Sequence, residues 1–212
     1  MNDKKAQQAL ATKSKLESVA RELFAERGFA GVSAEGLVAR ANVTRGALYH
    51  HYDGKEGLFA AVVEAVMQEL HEKLVRKAAA RADPLQALER GMRTFLKASL
   101  EPGLQKILLI DAPAVLGWSK WREMDAKYGL GMIKQALSAA ARAGMLQRQD
   151  TDILAHLLLG ALTEAAMVIA RADDPSKSRK EAERALASIM LSWRQPESRR
   201  EPVLPEGEGR GF

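Results

Sequence analysis

Apolar residues recur along this chain at the three- and four-residue spacings of a helix, and no stretch alternates long enough to suggest a strand. Residues 1–12 are polar and expected to be loose. Leu16, Val19, Ala20, Leu23 and Phe24 then mark one helical face, ended by Gly28. Ser33 can cap a short helix with Leu37, Val38 and Ala41 on its apolar stripe. Asn42, a residue that tolerates a left-handed turn, interrupts it, and Val43 can bury beneath that turn. Thr44 can cap a second short helix whose inner side is Ala47 and Leu48, with His51 and Tyr52 able to point either way. Phe29 and Val32 would pack the first helix against this pair. Gly54 opens a long helix carrying Leu58, Phe59, Val62, Val66, Met67, Leu70 and Leu74; run to about Ala80, it measures roughly 40 Å.

Asp83-Pro84-Leu85-Gln86 restarts the chain with a cap, a proline in the first turn and a Gln three residues after the cap. That helix runs to about Leu100 and Glu101-Pro102-Gly103 stops it, before a short apolar segment from Ile107 to Ile110. Residues 114–143 are the least regular helical stretch, with Gly129 and Gly131 favouring a kink. Residues 152–171 are apolar nearly all round, which requires cover on more than one side. A last amphipathic helix follows from about Lys177 to Trp193, and from Pro196 onward Pro, Gly and charge predict a disordered tail.

The class is therefore all-α. Cysteine is absent, which excludes disulfides and thiolate chemistry. No uninterrupted apolar run reaches the ~20 residues that span a bilayer, so no membrane is expected and the cytoplasm is the expected location. The net charge of +5 is mild; residues 1–55 hold nine Lys/Arg against six Asp/Glu, an excess consistent with DNA. Two short helices joined by a three- or four-residue turn make a helix-turn-helix, although an ordinary helical hairpin has the same spacing. Its outer face offers Arg45, Tyr49, His50 and Lys55 to phosphates or base edges.

The run VTRGALYHHYDGKEGLF, residues 43–59, resembles the signature of the tetracycline-repressor (TetR/AcrR) family of bacterial transcription regulators, and the resemblance extends from about Leu16 to Val63. Two residues depart from the pattern: Asn42 stands where Gly is usual, and Gly36 where an acidic residue commonly helps cap the helix, which predicts fraying there. The resemblance implies a DNA-binding head over residues 1–54, an effector-binding and dimerisation domain over 55–195 and a tail over 196–212. It implies double-stranded DNA with a near-palindromic operator as one partner, a small-molecule effector as another, and a second copy of the chain; the rings and thioethers of the candidate pocket wall make an apolar or aromatic effector the expectation.

For DNA, Arg45 is the candidate for bidentate contact with a guanine edge, Ala47 for a thymine methyl, and Gly46 for close backbone approach. Tyr49, His50 and Lys55 would hold phosphates, as would the amides behind Ser33 and Thr44. Candidate pocket walls are Met67, Leu70, His71, Phe95, Leu108, Trp118, Trp121, Tyr128, His156, Thr163 and Met167; packing alone also accounts for rings and thioethers at helical spacings. Neither His71 nor His156 has a strong metal-spaced partner, so neither a metal nor a cofactor is expected. Gly160, Ala161, Ala165, Leu186, Ile189 and Trp193 would build a four-helix dimer interface, unless the last two helices bury within one chain. A ligand-released repressor is the reading that results. The alternatives are an all-α enzyme on a small apolar substrate, against which stands the lack of a nucleophile–base pair or phosphate loop, and a protein-binding helical module.

Overall fold

A computed structural model describes residues 2–78 and 83–196. Among these residues the chain forms nine helices and no sheet, only an isolated bridge between Leu146 and Arg194. The helices are α1 (Asn2–Arg27), α2 (Ala34–Ala41), α3 (Arg45–Tyr52), α4 (Lys55–Ala78) and α5 (Pro84–Ala98). Next, α6 joins Pro102–Leu104, a π-helical Gln105–Asp111 and Ala112–Leu116, and α7 joins Trp118–Asp125, a π-helical Ala126–Leu130 and Gly131–Arg142. The last two are α8 (Thr151–Arg171) and α9 (Pro175–Trp193). The expected ends of α4 at Ala80 and of the chain in a disordered tail fall, Pro196 aside, outside the described residues.

The boundaries have local causes. Ser33 Oγ accepts the Gly36 amide at 3.0 Å, so α2 is capped despite lacking an acidic residue at position 36. Asn42 turns left-handed at φ 50° and Thr44 Oγ1 accepts the Ala47 amide at 3.2 Å, which leaves a turn of three residues between α2 and α3. Asp83 caps α5 through the amides of Leu85 and Gln86, and the Gln86 side chain returns to it at 3.3 Å. One expectation fails: α1 begins at Asn2 instead of following a loose arm. Residues 6–11 are exposed, so helix-forming Ala, Gln and Leu without Gly or Pro hold this turn where burial does not.

One core unites the head with the body. Leu16, Ala20 and Phe24 of α1 meet Leu37 and Ala41 of α2, Leu48 and Tyr52 of α3, and Leu58, Phe59 and Val62 of α4. Phe24, Phe29 and Phe59 form a ring cluster with centroids 5.0–5.9 Å apart. Tyr52 points inward, its hydroxyl donating to Glu17 at 2.9 Å with the Lys13 carbonyl at 3.2 Å; burial first, then Glu17, pushes that phenol well above its ordinary pKa. The same core continues through Ile107, Leu108 and Trp121 to Met167. A second core joins Leu88, Met92 and Leu96 of α5, Ile133 and Leu137 of α7, Leu158 and Leu162 of α8, and Leu186 and Met190 of α9.

Helix α8 has the length and composition to cross a membrane, with a mean hydropathy of 2.0, but half of that window is buried inside the chain. Its other side carries exposed Ile153, Leu157 and Val168. The all-round apolarity read from sequence is thus one face covered by the core and one left uncovered.

The α3–α4 corner is the tightest point. A Cβ added at Gly57 would stand 1.4 Å from the Tyr52 carbonyl oxygen, so only glycine lets the first turn of α4 lie on the end of α3. Gly57→Ala is expected to cost at least the ~1–3 kcal/mol of an overpacked core. Urea unfolding checks it; a variant as stable as the parent would contradict this packing.

Candidate DNA interface and ligand cavity

Helix α3 buries Leu48 and Tyr52 and turns Arg45, Gly46, Tyr49 and His50 to solvent, with Ala47 half-buried between them. Arg45 lies 3.1 Å from Glu35 and 5.6 Å from the centre of the Tyr49 ring. Both ends of that ion pair are exposed, so it contributes little and the guanidinium is readily released to another acceptor. Ser33 and Thr44 use their side chains as caps, as their position required. Lys55 has a different task from the phosphate contact expected of it. Its ammonium donates to the carbonyls of Phe29 (3.1 Å) and Val32 (3.0 Å) and sits 3.8 Å above the Phe29 ring. The first turn of α4 packs against the α1–α2 loop, which draws the side chain inward.

A cavity of about 140 Å³ lies between α4, α5, α6, α7 and α8. Eight expected wall residues line it: Met67, Leu70, His71, Phe95, Leu108, Trp121, Tyr128 and Thr163. Three do not. Trp118, the first residue of α7, is 63% exposed and only approaches Trp121 from outside, ring centres 5.0 Å apart. His156 projects from the exposed face of α8, 3.9 Å from Asp152. Met167, one turn past Thr163, is buried in the core shared with the head. Sequence reasoning missed Leu88, Met92, Leu109, Met132 and, above all, Asp125. Trp121, Asp125, Tyr128 and Met132 follow one another at spacings of four, three and four, so the helical period carried the signal.

Among the described residues, Asp125 is the cavity's one carboxylate. It pairs with Arg122, and its Oδ2 accepts the Thr163 hydroxyl at 3.1 Å. Burial pushes this carboxyl above the ordinary range, opposed by Arg122 and Thr163. His71 Nδ1 lies 2.6 Å from the Tyr128 carbonyl, which can only accept, so that nitrogen carries the proton. The Tyr128 hydroxyl reaches Glu64 at 2.9 Å, and Lys127 reaches it at 2.5 Å; Lys127 first, then Tyr128, holds the Glu64 carboxyl below its usual range. The π-helical turn of α7 is therefore tied to α4 at two points, seven residues apart.

The other π-helical segment touches both sites. Leu108 and Leu109 face the cavity, and the Leu108 carbonyl accepts the Trp121 indole N–H at 3.0 Å. In the same segment, Asp111 accepts the Phe29 amide at 2.7 Å and Lys106 donates to the Glu26 carbonyl at 2.7 Å. Insertions of this type inside α-helices concentrate at functional positions. The cavity wall thus grips the end of α1 directly, a connection that helical periodicity does not encode.

Ile153, Leu157 and Val168 are exposed along one stripe of α8, where a Cβ at Gly160 would meet nothing, and Ile189 and Leu191 are exposed on different sides of α9. Of the residues expected at a subunit interface, Ile189 is exposed and Gly160 has open space beside it. Leu186 is buried in its own chain, and Ala161, Ala165 and Trp193 are half-buried against the second core. The inner stripe of each helix closes its own bundle.

Comparison with known proteins agrees with this architecture. Residues 17–62 match the model for bacterial regulatory proteins of the tetR family, and residues 85–192 match the tetracyclin repressor-like C-terminal domain. The Transposon Tn10 TetC protein of Escherichia coli is 26% identical over 150 residues, 71% of this chain and 76% of that one. A solved TetR-family transcriptional regulator from Pectobacterium atrosepticum is 34% identical with a TM-score of 0.80, covering 89% of this chain and 96% of its own. The SmeT–triclosan complex is 25% identical with a TM-score of 0.69, covering 94% and 99%. With both halves matched and the helix order shared, the chain belongs to the tetR family of bacterial regulatory proteins, as a ligand-responsive DNA-binding regulator of transcription.

Proposed function

We propose that two copies of the chain pair through the outward faces of α8 and α9 and present their α3 helices to a near-palindromic operator. Residues 1–54 form the head that reads DNA, and residues 55–195 form the domain that pairs and holds the effector. In this reading the protein is a cytoplasmic repressor, released when an apolar or aromatic small molecule fills the cavity. The observation that carries it is the pair of bonded routes from the cavity wall to the head, through α4 and through Asp111 and Lys106 of α6. The exposed apolar side chains on α8 and α9 support pairing, because apolar side chains left on the outside of two neighbouring helices call for cover. SmeT, of similar fold, was solved with triclosan, which fits an effector of this general character.

On α3, Arg45 reads a base edge, Gly46 and Ala47 allow close approach, and Tyr49, His50 and the first amides of α2 and α3 hold phosphates. With genomic fragments recovered by the purified protein as targets, Arg45→Ala is expected to cost ~1–3 kcal/mol of binding and to relax preference at one position per half-site. An unaltered preference profile would rule out its role. Lys55→Ala is expected to lower unfolding stability by ~1–3 kcal/mol and to leave the salt dependence of DNA binding as it was. A salt slope flatter by about one would instead return Lys55 to the phosphates.

Pairing is open to a direct check. Leu157→Glu combined with Ile189→Glu should give a helical monomer with most DNA affinity lost, since one head alone holds few contacts. Sedimentation of the native chain at micromolar concentration should show a dimer; a monomer there would contradict the interface.

A further inference from the structure

The polar groups that line the cavity are unevenly committed. Four of its side chains carry a polar hydrogen, and each has an acceptor in the protein. The Thr163 hydroxyl donates to Asp125, the Trp121 indole to the Leu108 carbonyl, the Tyr128 hydroxyl to Glu64 and His71 Nδ1 to the Tyr128 carbonyl. Acceptors remain. Both recorded partners of Asp125 fall on Oδ2, so Oδ1 has none among the described residues. His71, protonated on Nδ1, keeps a bare Nε2 in its neutral form. The rest of the lining is aliphatic, aromatic, thioether or glycine.

We propose, on the reading that this cavity is the effector site, that it takes a single aromatic ring bearing a neutral hydrogen-bond donor, of the phenol class, and directs that donor to Asp125. Size sets the single ring: the cavity is about 140 Å³, close to an engineered apolar cavity of ~150 Å³ that binds benzene. Donor chemistry follows from the spent hydrogens, since a ligand that only accepts would leave its own polar atom unsatisfied and Asp125 Oδ1 unpaired. Charge disfavours a ring carboxylate, which would stand a second anion beside Asp125 among apolar walls. A hydroxyl instead gives a charge-assisted O–H···O⁻ contact, the stronger kind of hydrogen bond.

The test uses the intact protein without DNA and three probes of similar size: phenol, toluene and benzoate. Binding is followed by calorimetry and by the Trp121 indole N–H resonance. Phenol is expected to bind about 10- to 100-fold more tightly than toluene, and benzoate more weakly than either. Asp125→Leu should bring phenol to the level of toluene, whereas Asp125→Asn, which keeps an acceptor in place, should retain part of the preference. Toluene binding that survives in Asp125→Leu guards against a loss caused by general disturbance of the cavity. Toluene or benzoate binding at least as well as phenol would overturn the proposal, as would a phenol preference that survives Asp125→Leu or a failure of every probe to bind. DNA affinity is read in a separate arm. Phenol binding that depends on Asp125 supports the proposal whatever that arm shows, and an unmoved DNA affinity would count against the effector role alone.

Discussion

The packing of Phe59 against Phe24 and Phe29 is the contact on which the rest of the molecule depends. All three rings lie where α1, its following loop and α4 meet, and the Lys55 ammonium closes the cluster over Phe29 while holding two loop carbonyls. Ring pairs of this geometry contribute ~0.5–1.5 kcal/mol each beyond the area they bury. Their effect on function is positional. They pin the start of α4 to the head, from which the helix extends about 36 Å over its 24 residues.

That anchorage matters because the cavity is built on the same helix. Met67, Leu70 and His71 face it about two to three turns beyond the ring cluster, and Tyr128 is bonded to Glu64 and to His71 from the opposite wall. Helix α6 adds a second route, with Leu108 in the wall and Asp111 on the Phe29 amide. A ligand that prefers one setting of these walls by ~1–3 kcal/mol would change DNA affinity ~5–150-fold, and bound DNA would weaken the ligand by the same factor. Both walls carry a π-helical insertion, where the regular ladder of backbone hydrogen bonds is already interrupted.

Much of this was legible in the chain itself, because caps, turns and apolar stripes are local. Ser33, Thr44 and Asp83 cap helices where their neighbours predicted, and Asn42 takes the left-handed turn. Eight of the cavity residues followed from rings and thioethers on helical faces combined with the family resemblance. What escaped was tertiary. Lys55 reads as a surface cation until α4 packs it onto the Phe29 and Val32 carbonyls. Asp125 reads as a solvated acid until α8 brings Thr163 against it, and Asp111 until α6 meets the end of α1. Trp118 and His156 failed for the opposite reason, since residue type pointed inward and their place at a helix start and on an uncovered face kept them out.

The proposed function requires two heads held in fixed register by one paired body. Selection from a randomised duplex DNA pool by the purified chain, at near-physiological salt, tests this most directly. Two heads so held should enrich an inverted repeat whose half-sites lie about one helical turn apart, ~34–36 Å, or at a constant larger spacing where two dimers bind. Enrichment of a single unpaired half-site, or of no sequence at all, would contradict it.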